Sequence, residues 1–264
     1  MYSVLHELLC DRKGGEIFVL FGFWHFFYIA LTLAAITALL LVLRNKPDSC
    51  RRKAPKMLIS AAFGLYILDF FLMPLAYDAI DIEKLPFHAC TAMCVMCFLS
   101  YYGAVPGKAR TSFVLLGFIS NLVYLIYPAG VMWHGVHPLS YRVIQTLIFH
   151  GLMTVFGFLA LAYECEELGL KTFRRDLTVV LGMTLWAMLG NYAYNGTSES
   201  YSHFFNWFFV VRDPFYLLPE SVAPFVMPLL NAALFSAAAS IVRLIFGCIR
   251  RDVGKRMRKE VSDT

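Results

Sequence analysis

The chain has 264 residues, 59% hydrophobic and only 16% charged, with a formal net charge of +5. Soluble domains run nearer half apolar and a quarter charged. The charges come in short bursts between long apolar stretches, which excludes an ordinary globule with a core and a charged surface and reads as spans and loops.

The start is punctuated by Glu7, Asp11, Arg12, Lys13 and Glu16, and the apolar run after them is too long for a signal h-region. No cleavable signal peptide is expected. Seven apolar segments then follow in order, at 17–43, 57–77, 87–102, 112–127, 143–163, 177–194 and 225–247. About 20 residues of helix cross the hydrocarbon core. In lipid the backbone polar groups must be paired within the segment, so each segment is expected to be helical. The third and fourth are short for a crossing. The expected fold is all-α: one polytopic domain over 1–264 with seven transmembrane helices, ending in a basic tail at 248–264.

Orientation follows from the placement of Lys and Arg. Arg44, Lys46, Arg51, Arg52, Lys53 and Lys56 follow segment one, and Lys108 and Arg110 follow segment three. Lys171, Arg174 and Arg175 follow segment five, and six more lie in the tail. That side holds seventeen. The other holds five: Arg12, Lys13, Lys84, Arg142 and Arg212. The alternation places the N-terminus outside and the C-terminus in the cytoplasm, where the tail should lie against anionic lipid. All nine lysines fall outside the segments, which sets aside a retinal protein, since a Schiff base needs a lysine within a span. No duplication is visible, as many transporters would show.

The outer loop between segments six and seven holds YSHFFNWFFVV at 201–211. Its aromatics are expected at headgroup level, with Trp207 and Tyr201 as interface anchors; a lid over a lipid site is the sharper alternative. Asn195-Gly196-Thr197 is a glycosylation sequon on the same side.

Polar groups inside hydrocarbon are costly, so their depth is informative. His25, Asp69, His88, Cys90, Asn121, His150, Asn191 and Asn231 all fall in the outer halves of their segments, roughly 5–15 Å below the surface at 1.5 Å per residue. The inner halves hold only Arg243. Either the set lines an outward polar cavity, or each residue makes its own interhelical hydrogen bond. Asp69 has no lysine or arginine at its depth in a neighbouring segment. Its expected partner is an imidazole of His150, His88 or His25, unless it is buried protonated. Cys90, Cys94 and Cys97 repeat at i, i+4 and i+7 on one helix face. They read as small buried hydrophobes, as metal ligands with His88 at a spacing that suits zinc poorly, or as a nucleophilic thiol. The thiol reading favours Cys90, near a helix N-terminus whose dipole stabilises a thiolate, with His150 at compatible depth as its base.

The run LPFHAC at 85–90 resembles the LPxHxC signature of the YwaF-type bacterial integral membrane proteins, which are similar to the transmembrane protein 164 phospholipid acyltransferases. FHGLM at 149–153, GNY at 190–192 and DPFY at 213–216 add to the resemblance. It covers segments three to seven. It implies a seven-helix enzyme of the bacterial cytoplasmic membrane acting on phospholipid acyl chains, with Cys90 as nucleophile and His150 as base. His88 precedes the cysteine, whereas the vertebrate histidine follows it.

The expected function is a thiol acyltransferase, or a lipid hydrolase if water competes. Asp69 would orient His150, and Asn191 or backbone N–H groups at the start of segment three would hold the oxyanion, with His88, Asn121 and His25 in support. The alternative is a transporter or solute binder with an outward polar vestibule. The partners expected are phospholipid and membrane, without nucleic acid, metal or cofactor.

Overall fold

The computed structural model describes residues 9–10, 15–77, 82–132, 135–195 and 205–262. Among them there are seven principal helices and no strand. These are α1 (Phe23–Leu43), α2 (Asp48–Tyr77), α3 (Ala89–Tyr101), α4 (Arg110–Ile126), α5 (Tyr141–Glu164), α6 (Leu170–Tyr194) and α7 (Ala223–Ser262). Six helical stretches are long and apolar enough to cross a membrane: Phe23–Leu43, Asp48–Leu72, Gly107–Met132, Tyr141–Glu164, Leu170–Tyr194 and Ala223–Arg250. The remaining helix, α3, has 13 residues, or about 20 Å, short of the hydrocarbon thickness. The protein is an integral membrane protein. Phe23, Phe26, Phe27, Leu31 and Leu33 on α1 are exposed, as a lipid-facing helix requires.

Several boundaries differ from the hydropathy reading. α1 begins at Phe23, because the Phe18 N–H bonds to the Val136 carbonyl and the Gly22 N–H to the Val19 carbonyl, turning the chain just before it. α2 begins at Asp48, nine residues before the expected segment, which brings Lys53 and Lys56 inside its first turns. α6 begins at Leu170, seven residues before the expected span. Its N-cap Gly169 is extended and donates its N–H to the Thr172 hydroxyl. α7 runs without a break through the basic tail to Ser262.

The chain divides into two compact units, Met1–Leu85 with Gly117–Leu159, and Pro86–Leu116 with Ala160–Thr264. In the first, Phe18, Tyr28, Leu125, Val131, Val136, Val143 and Leu147 form a buried cluster. Glycines on α5 let its neighbours approach closely. A Cβ on Gly157 would lie 2.7 Å from the Phe118 Cβ of α4, and one on Gly151 would lie 2.8 Å from the Thr32 hydroxyl of α1.

In the second unit a fully buried Arg243 on α7 makes a two-pronged bond to Asp176 on α6. Nε lies 2.8 Å from one carboxylate oxygen and Nη2 2.6 Å from the other. Nη1 donates to the Glu166 carbonyl at 3.2 Å, and the Ser112 hydroxyl of α4 donates to Asp176 at 2.6 Å. This corrects the expectation that Arg243 stands alone in its half of the helices. Asp176 escaped because the hydropathy span begins at Leu177, just past it. Asp176 and Asn191 lie near opposite ends of α6, about 22 Å apart along its axis, so the polar residues form two levels and not one.

Removing one partner of a buried ion pair strands the other, at about 3–5 kcal/mol. Arg243→Met should lower stability by that amount, and Arg243→Met combined with Asp176→Leu should recover most of it. Thermal unfolding in detergent measures both.

Candidate functional site

The start of α3 is built by the LPFHAC run. The Trp186 indole N–H bonds to the Pro86 carbonyl at 2.7 Å. The Phe87 ring stacks on Trp186 with centroids 5.0 Å apart, and packs on Trp207 at 4.9 Å. It lies directly on Gly190 of α6, where an added Cβ would come within 2.4 Å of the ring, so the glycine of GNY is required by this close approach. His88 is the N-cap of α3, with extended backbone (φ −80°, ψ 145°), and no side chain caps the helix. Its Nδ1 accepts the Phe208 N–H at 3.2 Å. Cys90 is the second helical residue and is partly exposed, whereas Cys94 and Cys97, one and two turns on, are fully buried. The three cysteines do share a helix, but only Cys90 is accessible. Among the described residues, no group of three His, Cys, Asp or Glu is placed to hold a metal ion.

Trp207 is not the exposed side chain expected of an interface anchor. Trp207 is 1% exposed, and Phe205, Phe208 and Val210 are buried with it; Tyr201 lies outside the described residues. Four asparagines hold the loop. Asn191 donates to the carbonyls of Ala187 (2.8 Å) and Trp207 (3.0 Å) and accepts the Trp207 N–H (3.0 Å). Asn195 exchanges two 2.7 Å bonds with the Phe205 backbone. Asn206 accepts from the N–H groups of Val211 and Arg212. Asn231 on α7 donates to the carbonyls of Phe208 (2.7 Å) and Phe209 (2.9 Å). Phe208 and Phe209 sit at φ 57° and 51°, left-handed conformations that are strained for bulky residues at about 1–3 kcal/mol each. Such strain persists only where the surroundings over-determine it, as these bonds do.

The DPFY run is a self-bonded turn. Asp213 accepts the N–H groups of Phe215 (2.9 Å), Leu217 (2.7 Å) and Leu218 (3.0 Å). These bonds, that of Phe215 foremost, hold its carboxyl below the usual carboxylate range against a smaller opposing effect of burial.

The first unit holds the remaining expected residues. His150 on α5 is 4% exposed, and its Nδ1 lies 2.7 Å from Asn121 Oδ1 on α4. Tyr124, one turn on from Asn121, stacks on the imidazole with centroids 3.7 Å apart and planes 16° apart. Asp69 on α2 is bonded to Lys84 Nζ at 2.9 Å and to the Tyr141 hydroxyl at 2.9 Å. This corrects the expectation of an imidazole partner and of Asp69 orienting His150. Lys84 sits in the 3-10 turn Ile82–Lys84, which folds back so that its own carbonyl accepts from Tyr66. Hydropathy reads that turn only as a loop. Lys84, Tyr141 and Tyr124 were all missed. Tyr124 alone carried a signal, at i+3 from Asn121. His25 accepts the Phe21 N–H at Nδ1 (3.0 Å) and bonds the Leu125 carbonyl through Nε2 (2.7 Å), so both ring nitrogens serve structure.

A family model described as the TMEM164 family matches residues 20–245. No curated protein matches the chain. No solved structure matches it either.

Because the Asp213 carboxyl is lowered in the folded protein, its stabilisation is complete above the unfolded value of about 3.9 and fades as pH falls through the lower folded value. Amide hydrogen exchange at Leu217 and Leu218 should therefore stay protected at neutral pH and lose protection below about pH 4. Asp213→Ala should abolish that protection at every pH.

Proposed function

We propose that this chain, which belongs to the TMEM164 family on the match over residues 20–245, is a membrane thiol acyltransferase. It would move a fatty acyl chain from a phospholipid, through a thioester on Cys90, to a lysolipid or other hydroxyl acceptor. The observation that carries this reading is the position of Cys90. It is the accessible cysteine of α3, at the second residue of an uncapped helix start, inside the most specific motif of the sequence. The helix dipole at such a position favours a thiolate.

In the proposed chemistry His150, the base that the sequence resemblance implies, takes the Cys90 proton on the Nε2 lone pair. The thiolate attacks the ester carbonyl carbon, a C–S bond forms and the carbonyl becomes an oxyanion. Collapse breaks the C–O bond, and the proton on Nε2 passes to the departing lysolipid oxygen. In the second half an acceptor hydroxyl gives its proton to Nε2 and attacks the thioester, and the Cys90 thiolate leaves and regains the proton. Water as acceptor would make the same site a hydrolase.

Asn191 is a poor choice for the oxyanion, because both its N–H groups are spent on the carbonyls of Ala187 and Trp207. His88 suits the role better. Its Nδ1 accepts a backbone N–H, so a neutral ring carries its proton on Nε2 and acts as a donor there, not a base. Seven crossings, with the N-terminus outside, are supported by the alternation of Lys and Arg. LPFHAC supports the YwaF-type branch and the bacterial cytoplasmic membrane.

Intact mass spectrometry of protein purified with phospholipid tests the reading. Wild type should carry an acyl mass that hydroxylamine removes. Cys90→Ala should carry none, and His150→Ala should acylate about 10²–10⁴-fold more slowly. His88→Asn keeps an acceptor for the Phe208 N–H and should acylate poorly, whereas His88→Gln, which restores a donor near the Nε2 position, should retain activity. No adduct on wild type with any phospholipid would sink the acyltransferase and return attention to a solute-binding vestibule.

A further inference from the structure

The histidine proposed as base meets an amide at Nδ1, and the atoms around that amide define which ring nitrogen bears the proton. Asn121 Nδ2 lies 2.7 Å from the Gly117 carbonyl, one turn back on α4. A carbonyl oxygen only accepts, so the side of the amide facing Gly117 is its NH₂ group. The opposite atom, Oδ1, therefore faces His150 Nδ1 at 2.7 Å. Oδ1 also only accepts, so Nδ1 carries the hydrogen. A neutral imidazole has one N–H, which leaves the lone pair on Nε2. Tyr124 stacks on the ring face and the Thr154 hydroxyl donates to the His150 carbonyl at 2.8 Å, holding the ring and its backbone.

We propose that Asn121 is the positioning residue of His150, locking the ring as the Nδ1–H tautomer so that Nε2 is the proton acceptor. The assignment rests on the reading of His150 as the base for Cys90. Asn121 is fully buried and His150 nearly so. In such a place an amide fixes the tautomer without adding a charge that would have to be desolvated. Chain order hides the relation, since the two residues are 29 positions apart and Asn121 lies on a different helix. Asp69, the carboxylate that the sequence offers for the task, is held by Lys84 and Tyr141 instead.

The test joins a spectroscopic readout to a chemical one. Protein labelled with ¹⁵N-histidine is examined by NMR, with His150 assigned by its loss in His150→Gln. The rate of hydroxylamine-labile acylation of Cys90 is followed by intact mass. Wild type should show His150 with Nδ1 protonated and Nε2 unprotonated. Asn121→Leu, similar in size but without an acceptor, should mix the tautomers and slow acylation about 10²–10⁴-fold. Asn121→Asp should restore the wild-type tautomer and most of the rate, because its acid form bonds Gly117 as the amide does and still accepts from Nδ1. A proton on Nε2 of wild-type His150 would overturn the proposal, as would an Asn121→Leu variant with wild-type spectrum and rate. Should Cys90 never acylate, the acyltransferase reading fails, and the wild-type spectrum still decides the tautomer lock.

Discussion

An unpaired N–H or C=O in hydrocarbon costs several kcal/mol, and the polar side chains of this protein are arranged around that penalty. The clamp of Arg243 on Asp176 joins α4, α6 and α7 through a carboxylate, a hydroxyl and a loop carbonyl. The four asparagines that hold the aromatic loop do the same work without charge. Each offers both a donor and an acceptor, so one amide can satisfy an N–H and a C=O of irregular backbone together, as Asn191 does for Trp207 and Asn195 for Phe205. This explains how a loop with two left-handed phenylalanines remains buried. Irregular backbone at depth is tolerated only where the protein itself supplies the partners.

The same constraint separates three histidines that look alike in sequence. Each falls in or at the end of an apolar segment, and hydropathy has no means to rank them. His25 faces an N–H on one side and a carbonyl on the other, so both nitrogens are used. His88 faces an N–H at Nδ1, and His150 faces an amide oxygen at Nδ1. The polarity of the Nδ1 neighbour dictates the character of Nε2: a donor in His88, an acceptor in His150.

The helical architecture was legible, because seven apolar segments and an alternation of basic loops are long-range patterns that survive small errors. All seven segments contain a helix. Ends were less legible, and one mattered: a span begun at Leu177, seven residues after α6 starts, left out Asp176 and made Arg243 look alone. Partners were the least legible. Asp69 was rightly seen as expensive, but Lys84 sits among the charges of IDIEK and reads as a solvated turn. Trp207 was read as an exposed anchor because aromatics concentrate at membrane interfaces; the asparagines that hold its loop against the helices are single residues spread over 41 positions, from Asn191 to Asn231. Pairing in a helical membrane protein is set by helix rotation, which one sequence does not encode in any short window.

If His150 is the base of the proposed acyl transfer, the neutral amide beside it also bears on how strong a base that chemistry needs. A carboxylate partner stabilises the imidazolium and so strengthens the base, which helps when a serine hydroxyl must be deprotonated. A thiol is far more acidic than a hydroxyl, and Cys90 at an uncapped helix start has the dipole on its side. The proton transfer is then easier, and orientation matters more than basicity. An amide supplies orientation alone, and it avoids burying a carboxylate beside the ring. On this argument an asparagine at 121 is the choice that thiol chemistry permits and burial favours, and Asp69 is left to anchor the 3-10 turn through Lys84.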